Sequence, residues 1–216
     1  MSTQRFSISE AFGFGWETTK KNFWFLLGLL LITGILFGVL RRLEVSLGAR
    51  ALLYSGIVFL VEVILGVIFE LGWFKIILKL CDGQKARYSE VFSVLPLFFK
   101  CLFAFTLYVM MITVGTMALI IPGVILGVRF QFFPYFIVEK EAGVIESLKQ
   151  SFAITQGVTG QVLLFDLLLI LLQILGALLL GVGLFFTIPT GLVASAFVYR
   201  KLLPQENIQV NTETYP

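Results

Sequence analysis

Histidine is absent from the 216 residues, cysteine occurs only twice, and charged residues supply just 13%. Each scarcity removes a class of function. Without histidine there is no Ser–His intramembrane proteolysis, no imidazole metal site and no histidine general base. Cys81 and Cys101 lie near the ends of apolar runs at no metal or redox spacing, so free thiols are expected rather than a disulfide framework. An average globular chain is about a quarter charged, and the far smaller share here cannot cover the surface of a soluble 24.2 kDa protein. A net charge of +3 is too small to imply nucleic acid as a partner. Gly-rich phosphate loops and dinucleotide fingerprints are missing. One aspartate within the apolar runs cannot make a paired-aspartate protease. No cofactor, no metal site and no enzymatic activity are therefore expected.

What fills the chain is hydrocarbon. Hydrophobic residues make up 58%, with 23 Phe, and the mean hydropathy is +0.98. A bilayer core of about 30 Å needs roughly 20 mostly apolar helical residues. Runs of that kind fall at about 23–40, 55–79, 97–121, 123–138, 162–181 and 184–199. The first is too long for a signal-peptide core and no A-x-A site follows it, so it reads as an anchor. Pro122–Gly123 is the expected turn between the third and fourth spans, and Pro189 marks the tight turn into the last. A five-span protein with a re-entrant last segment is the alternative. The runs are apolar on every face, which excludes the alternation of a β-barrel, and backbone amides in lipid must be satisfied within a segment. The fold class is thus an all-α polytopic membrane bundle: one integral membrane domain over 1–204 and a polar tail over 205–216.

Lys and Arg placement orients it. With six spans, the side holding the N-terminus collects Arg5, Lys20, Lys21, Lys75, Lys79, Lys85, Arg87, Lys100, Lys140, Lys149, Arg200 and Lys201, against Arg41, Arg42 and Arg50 opposite. Both termini are expected in the cytoplasm, with the chain in the cell's inner membrane. Arg41–Arg42 runs against this and is outvoted.

Three segments that precede spans resemble one another: from Ile8, from Tyr88 and from Val144. At constant offsets Glu10 meets Glu90 and Glu146, and Phe12 meets Phe92 and Leu148. The chain reads as three copies of a short amphipathic interfacial helix followed by a helix hairpin. In the first copy Ile8, Phe12 and Trp16 form a stripe, Ser7-x-x-Glu10 fits a capping box, and Glu17 precedes Lys21 at i,i+4. In the third, Ile145, Leu148 and Phe152 form the stripe and Gly157 the stop. Packing elbows are favoured over lipid sensors.

Charges at membrane depth are costly and are functional candidates by default. Glu70 and Arg129 fall near the middle of the second and fourth spans and are expected to pair. Glu62 lies nearer the outer edge; Asp166 lies about one turn inside the inner edge, within reach of Lys75, Lys79 or Lys100. Gly34/Gly38 and Gly123/Gly127 are G-x-x-x-G pairs that permit close helix approach, within the chain rather than between chains. Trp16, Trp24, Trp73, Tyr135 and Tyr199 sit where interfacial anchors belong, and read as anchors rather than a ligand cage.

Pro122–Gly123, the aromatic run Phe130–Tyr135, the segment Ser147–Gly157 and the closing Pro189 with Tyr199–Arg200 form a recognisable series, as does the opening Gly15–Trp24. In these features the chain resembles the YciC-like multi-pass proteins and the membrane domain attached to some glycerophosphoryl diester phosphodiesterases. The resemblance implies a helical membrane domain tied to envelope or lipid metabolism. It carries over no catalytic residue, because the hydrolase barrel has no counterpart here. The expected function is a non-enzymatic scaffolding, partner-recruiting or lipid-associated module. The alternative is a small transporter or channel using Glu70, Arg129 and Asp166. The lipid bilayer is the one partner the sequence implies; other membrane proteins and the oligomeric state are left open.

Overall fold

A computed structural model describes residues 6–47, 52–179 and 181–203. Arg5, Arg50 and the polar tail 205–216 lie outside the described residues. Among those described, every regular element is a helix: α1 Ile8–Lys21, α2 Phe23–Leu47, α3 Leu52–Cys81, a 3-10 helix Tyr88–Leu97, α4 Phe98–Ala118, α5 Ile120–Phe130, α6 Phe133–Lys140, α7 Val144–Ile154, α8 Thr159–Leu178 and α9 Leu184–Leu202. Five segments are long and apolar enough to cross a membrane: Phe23–Ser46, Gly56–Cys81, Tyr88–Ala118, Ile120–Lys140 and Thr159–Leu178. Their outer faces are hydrocarbon, as at Ile35, Phe103, Met110, Val114, Leu167 and Ile170, all exposed. That surface is stable in lipid and not in water.

Helix α9 differs from these five. It is less apolar than α2, α3, α4 or α8, yet Val193, Ala194, Ala196, Val198 and Tyr199 on it are wholly buried. It contacts α1, α2, α3 and α8 and forms the centre of the bundle. The buried C-terminal part of α9 has no need of large apolar side chains, and small ones let its neighbours approach closely.

Helix α1 is the closest of those neighbours. The Ser7 hydroxyl accepts from the Glu10 amide at 3.4 Å, and Glu10 at the start and Lys20 and Lys21 at the end suit the helix dipole. Asn22 ends the helix by donating from its side-chain amide to the Thr18 carbonyl, 3.0 Å away, and α2 begins at the next residue. The buried face is Ala11, Gly15 and Thr19, not the expected Ile8–Phe12–Trp16 row; Trp16 is exposed. The smallest side chains face in because α9 lies so near. A Cβ on Gly15 would stand 2.6 Å from the Thr190 carbonyl oxygen. In α7 the inward positions are again small, Ser147 and Ser151, with Leu148 and Ile154, while Ile145 is exposed.

Both prolines expected at turns lie inside helices. The α4–α5 turn is made by Leu119, whose φ of −164° and ψ of 145° are extended, and Pro122 follows within the first turn of α5. A first-turn amide has no intrahelical acceptor, so proline costs nothing there. Gly123 serves packing instead, since a Cβ would meet the Thr116 backbone nitrogen at 2.8 Å. The chain turns into α9 at Gly181, which adopts φ +76°, and Pro189 sits within α9.

The fourth span is broken where a continuous helix over 123–138 was expected. Pro134 at the start of α6 has no amide hydrogen for the Phe130 carbonyl and clashes with it, separating α5 from α6 at Gln131–Phe132. Helix α7 satisfies the freed groups. The Phe132 amide donates to Ser151 Oγ (3.1 Å), and the Arg129 carbonyl accepts from Ser151 Oγ (2.9 Å) and Thr155 Oγ1 (3.3 Å). Irregular backbone at membrane depth is tolerated on that condition.

Gly13 and Gly15 should respond oppositely to alanine. Gly13 has open space around its Cβ direction, so Gly13→Ala should stabilise by about 0.5–1 kcal/mol. Gly15→Ala should cost about 1–3 kcal/mol through overpacking against α9. Melting temperatures of the two variants in one detergent check the ordering.

Candidate functional site

Three places bring together the polar groups that are candidates for function. The first is where α3, α6 and α9 end together. Glu139, in the last turn of α6, accepts from Tyr199 Oη at 2.7 Å and pairs with the Arg200 guanidinium. The second arm of that guanidinium reaches Asp82, just beyond α3, at 2.7 Å. Tyr199 stacks on Tyr135 with ring centroids 4.8 Å apart and meets Phe136 edge-on at 5.1 Å. Burial alone would lower the Arg200 pKa, but the Glu139 and Asp82 carboxylates outweigh it and hold the guanidinium above its ordinary value. Two further pairs lie nearby in sequence: Lys79 with Glu90 at 2.6 Å and Lys201 with Glu10 at 3.2 Å. Tyr135 and Tyr199 are therefore core residues, buried in the bundle, and not interfacial anchors.

The second place surrounds the α5–α6 break. Arg129 Nε donates to Thr159 Oγ1 at 3.2 Å, and the guanidinium lies 4.3 Å from the centre of the Phe152 ring. Gln131 Nε2 donates to Asp166 Oδ2 at 2.9 Å. The expected Glu70–Arg129 pair is not formed, because the break turns Arg129 toward α7 and α8. Asp166 is held by Gln131 rather than by a lysine; Lys79 is taken by Glu90, and Lys100 donates to the Glu141 carbonyl. Glu62 is half-buried and has no ion pair among the described residues.

The third place is a groove of 430 Å³ between α2, α3 and α9. Its walls are Phe37, Phe69, Trp73, Phe74, Ile188 and Leu192, and Gly34 and Gly66 leave room on the two facing helices. Glu70 is the one ionisable group on its lining. Its side chain is exposed and makes no hydrogen bond or ion pair among the described residues. The Thr33 hydroxyl, also on the wall, is spent on the Leu29 carbonyl at 2.8 Å. Trp73 belongs to this wall and not to an interfacial belt.

The two glycine pairs part company. Gly123, with Gly115, closes the α4–α5 hairpin, and the Gly127 carbonyl accepts from Tyr108 Oη at 3.2 Å. Gly34 and Gly38 have nothing within 4 Å of a built Cβ. Among the described residues no group of three His, Cys, Asp or Glu side chains is placed to hold a metal ion. Cys81 and Cys101 are free thiols. The sequence reading missed Asp82 and Glu139 as partners of Arg200. The available signal was the grouping of charges at the ends of three different apolar helices: Lys79 and Asp82, Glu139–Glu141, and Arg200 with Lys201.

Removing Glu139 should strand two groups at once. Glu139→Ala leaves the Tyr199 hydroxyl and one face of Arg200 without partners, at an expected cost of about 2–3 kcal/mol. Glu139→Gln keeps an acceptor for Tyr199 and should cost less. Thermal unfolding of both variants checks the order, and equal stability of all three proteins would contradict it. No known protein family, curated protein or solved structure matches this chain.

Proposed function

We propose that this protein is a non-enzymatic, lipid-associated module of the cytoplasmic membrane that holds an apolar chain from the bilayer in the α2–α3–α9 groove. The observation that carries this reading is the groove itself: 430 Å³ of apolar wall with a single carboxyl. Small-molecule pockets are mostly apolar, run from about 300 to 1,000 Å³ and carry a few placed polar groups. The YciC-like resemblance, with its link to envelope and lipid metabolism, points the same way.

The same reading gives the chain six spans, with α9 as the sixth. The ends of α3, α6 and α9 converge on Arg200, Glu139 and Asp82, and Lys201 ties α1 to the end of α9. Second, fourth and sixth crossings that return to one face, with the N-terminus on that face, require such a convergence. Lysine and arginine placement makes that face cytoplasmic. A short helix followed by two apolar segments recurs three times, the last segment of the middle unit being the broken α5–α6 pair, which supports a threefold repeat. Each short segment packs on the last helix of another unit: α1 on α9, the 3-10 helix on α3, and α7 on α5 and α6.

Transport is the second reading, favoured by the broken fourth span, since broken helices near the midplane line many transporter sites. Here α7 hydroxyls occupy the freed backbone groups. Arg129 and Asp166 are held by Thr159 and Gln131, and neither lies on the groove that Glu70 lines. Substrate-dependent flux in liposomes, lost in Glu70→Gln, would favour transport instead.

Native mass spectrometry of the purified protein tests the lipid reading. The wild type should retain a lipid-derived molecule through delipidation, and Gly34→Leu, which fills the groove, should release it. Equal retention by the two proteins would contradict a groove site.

A further inference from the structure

We propose that the occupant of this groove is a long-chain amine, with its alkyl chain along the α2–α3 wall and its ammonium group on Glu70. The inference rests on the groove reading above and adds the chemistry that selects the ligand.

Glu70 lies well inside α3, far from both ends of a helix that runs from Leu52 to Cys81. A carboxyl at that depth is costly, and such groups ordinarily face a partner within the bundle. Glu70 has none among the described residues, although Arg129 and Asp166 are both engaged by side chains. No donor on the wall bonds to Glu70: the Thr33 hydroxyl already donates to the Leu29 carbonyl, and the Trp73 indole N–H makes no hydrogen bond to the carboxyl. The missing partner must come from the ligand, and it must be a donor or a cation.

The rest of the wall favours the cation. Trp73 stands one turn from Glu70 on the same helix, with Phe37 across the groove on α2. Aromatic faces beside a carboxylate form the usual environment for an alkylammonium group, through ring quadrupole and charge together. Gly34 and Gly66 supply the length for the chain. Entry from the bilayer needs no naked charge. The acid and the free amine each reach the groove neutral. On contact the carboxyl proton passes to the amine nitrogen, which leaves carboxylate and ammonium as a pair and conserves both proton and charge. A carboxylic or phosphate headgroup is too weak a base to take that proton, so it forms no ion pair with Glu70.

Binding is measured on the full chain in phosphatidylcholine nanodiscs, with the signal from empty nanodiscs subtracted, using dodecylamine, dodecanol and dodecanoic acid as probes. The wild type should bind dodecylamine on the order of tenfold more tightly than dodecanol, and dodecanoic acid most weakly. Glu70→Gln, close in shape, should reduce dodecylamine to the level of dodecanol and leave dodecanol unchanged. Glu70→Asp should keep part of the preference, which separates loss of the carboxylate from a general disturbance of the fold. Equal binding of amine and alcohol by the wild type, or a preference that survives Glu70→Gln, would overturn the amine assignment while the groove site stands. Saturable binding of none of the three, or binding unaffected by Gly34→Leu, would overturn the groove reading itself.

Discussion

The structure depends on how α9 is kept from lipid. Its central residues are small, polar or aromatic with a hydroxyl: Thr190, Gly191, Ser195 and Tyr199 interrupt the hydrocarbon. Facing acyl chains, such a helix would gain little from burial and would expose the Phe185 carbonyl, which Pro189 leaves without its intrahelical donor, to a solvent without donors. Inside a ring of more apolar helices the same residues are an advantage. Gly15 of α1 meets the Thr190 carbonyl almost directly, and Gln173 of α8 exchanges hydrogen bonds with Thr187 at 2.9 and 3.0 Å. Close packing and interhelical hydrogen bonds replace the hydrophobic effect, which is weak between surfaces that are equally apolar in lipid and in protein.

The clamp at the end of α9 fixes where that helix stops. Arg200 holds two carboxylates from two other helices, and Tyr199 presents its ring to Tyr135 and its hydroxyl to Glu139. Three helix ends are thereby held in one plane. Regular packing around α9 is broken on the side of α2 and α3, where Gly34 and Gly66 leave space and Glu70 opens into it. The rigid part of the bundle and the groove share α9, through Ile188 and Leu192.

Much of this was legible in sequence and some was not, for reasons that differ by residue. Long apolar runs reported α2, α3, α4 and α8 directly, because in lipid one run is one helix. Proline misled at two positions. Pro122 and Pro189 signal a turn only when read without register; Pro122 falls in a first turn and Pro189 inside a buried helix. Pro134 carried the real break, but it sits in the aromatic run Phe130–Tyr135 that reads as continuous span. Tyr199 looks like an interfacial anchor because its partner, Glu139, is 60 residues away. The groove was invisible for the same reason: Gly34 and Gly66 belong to different helices, and neither alone implies a space. Glu70 was identified from its depth alone. Its surroundings emerged only from tertiary packing.

The most direct test of the central position of α9 is labelling of the unmodified protein, in native membranes, with a lipid-soluble diazirine, read residue by residue by mass spectrometry. Exposed positions on α2, α4 and α8, such as Ile35, Met110 and Ile170, should be labelled strongly, and Val193–Tyr199 should remain unlabelled. Labelling of Val193–Tyr199 equal to that of α8 would place α9 against lipid and contradict the architecture from which the clamp and the groove both follow.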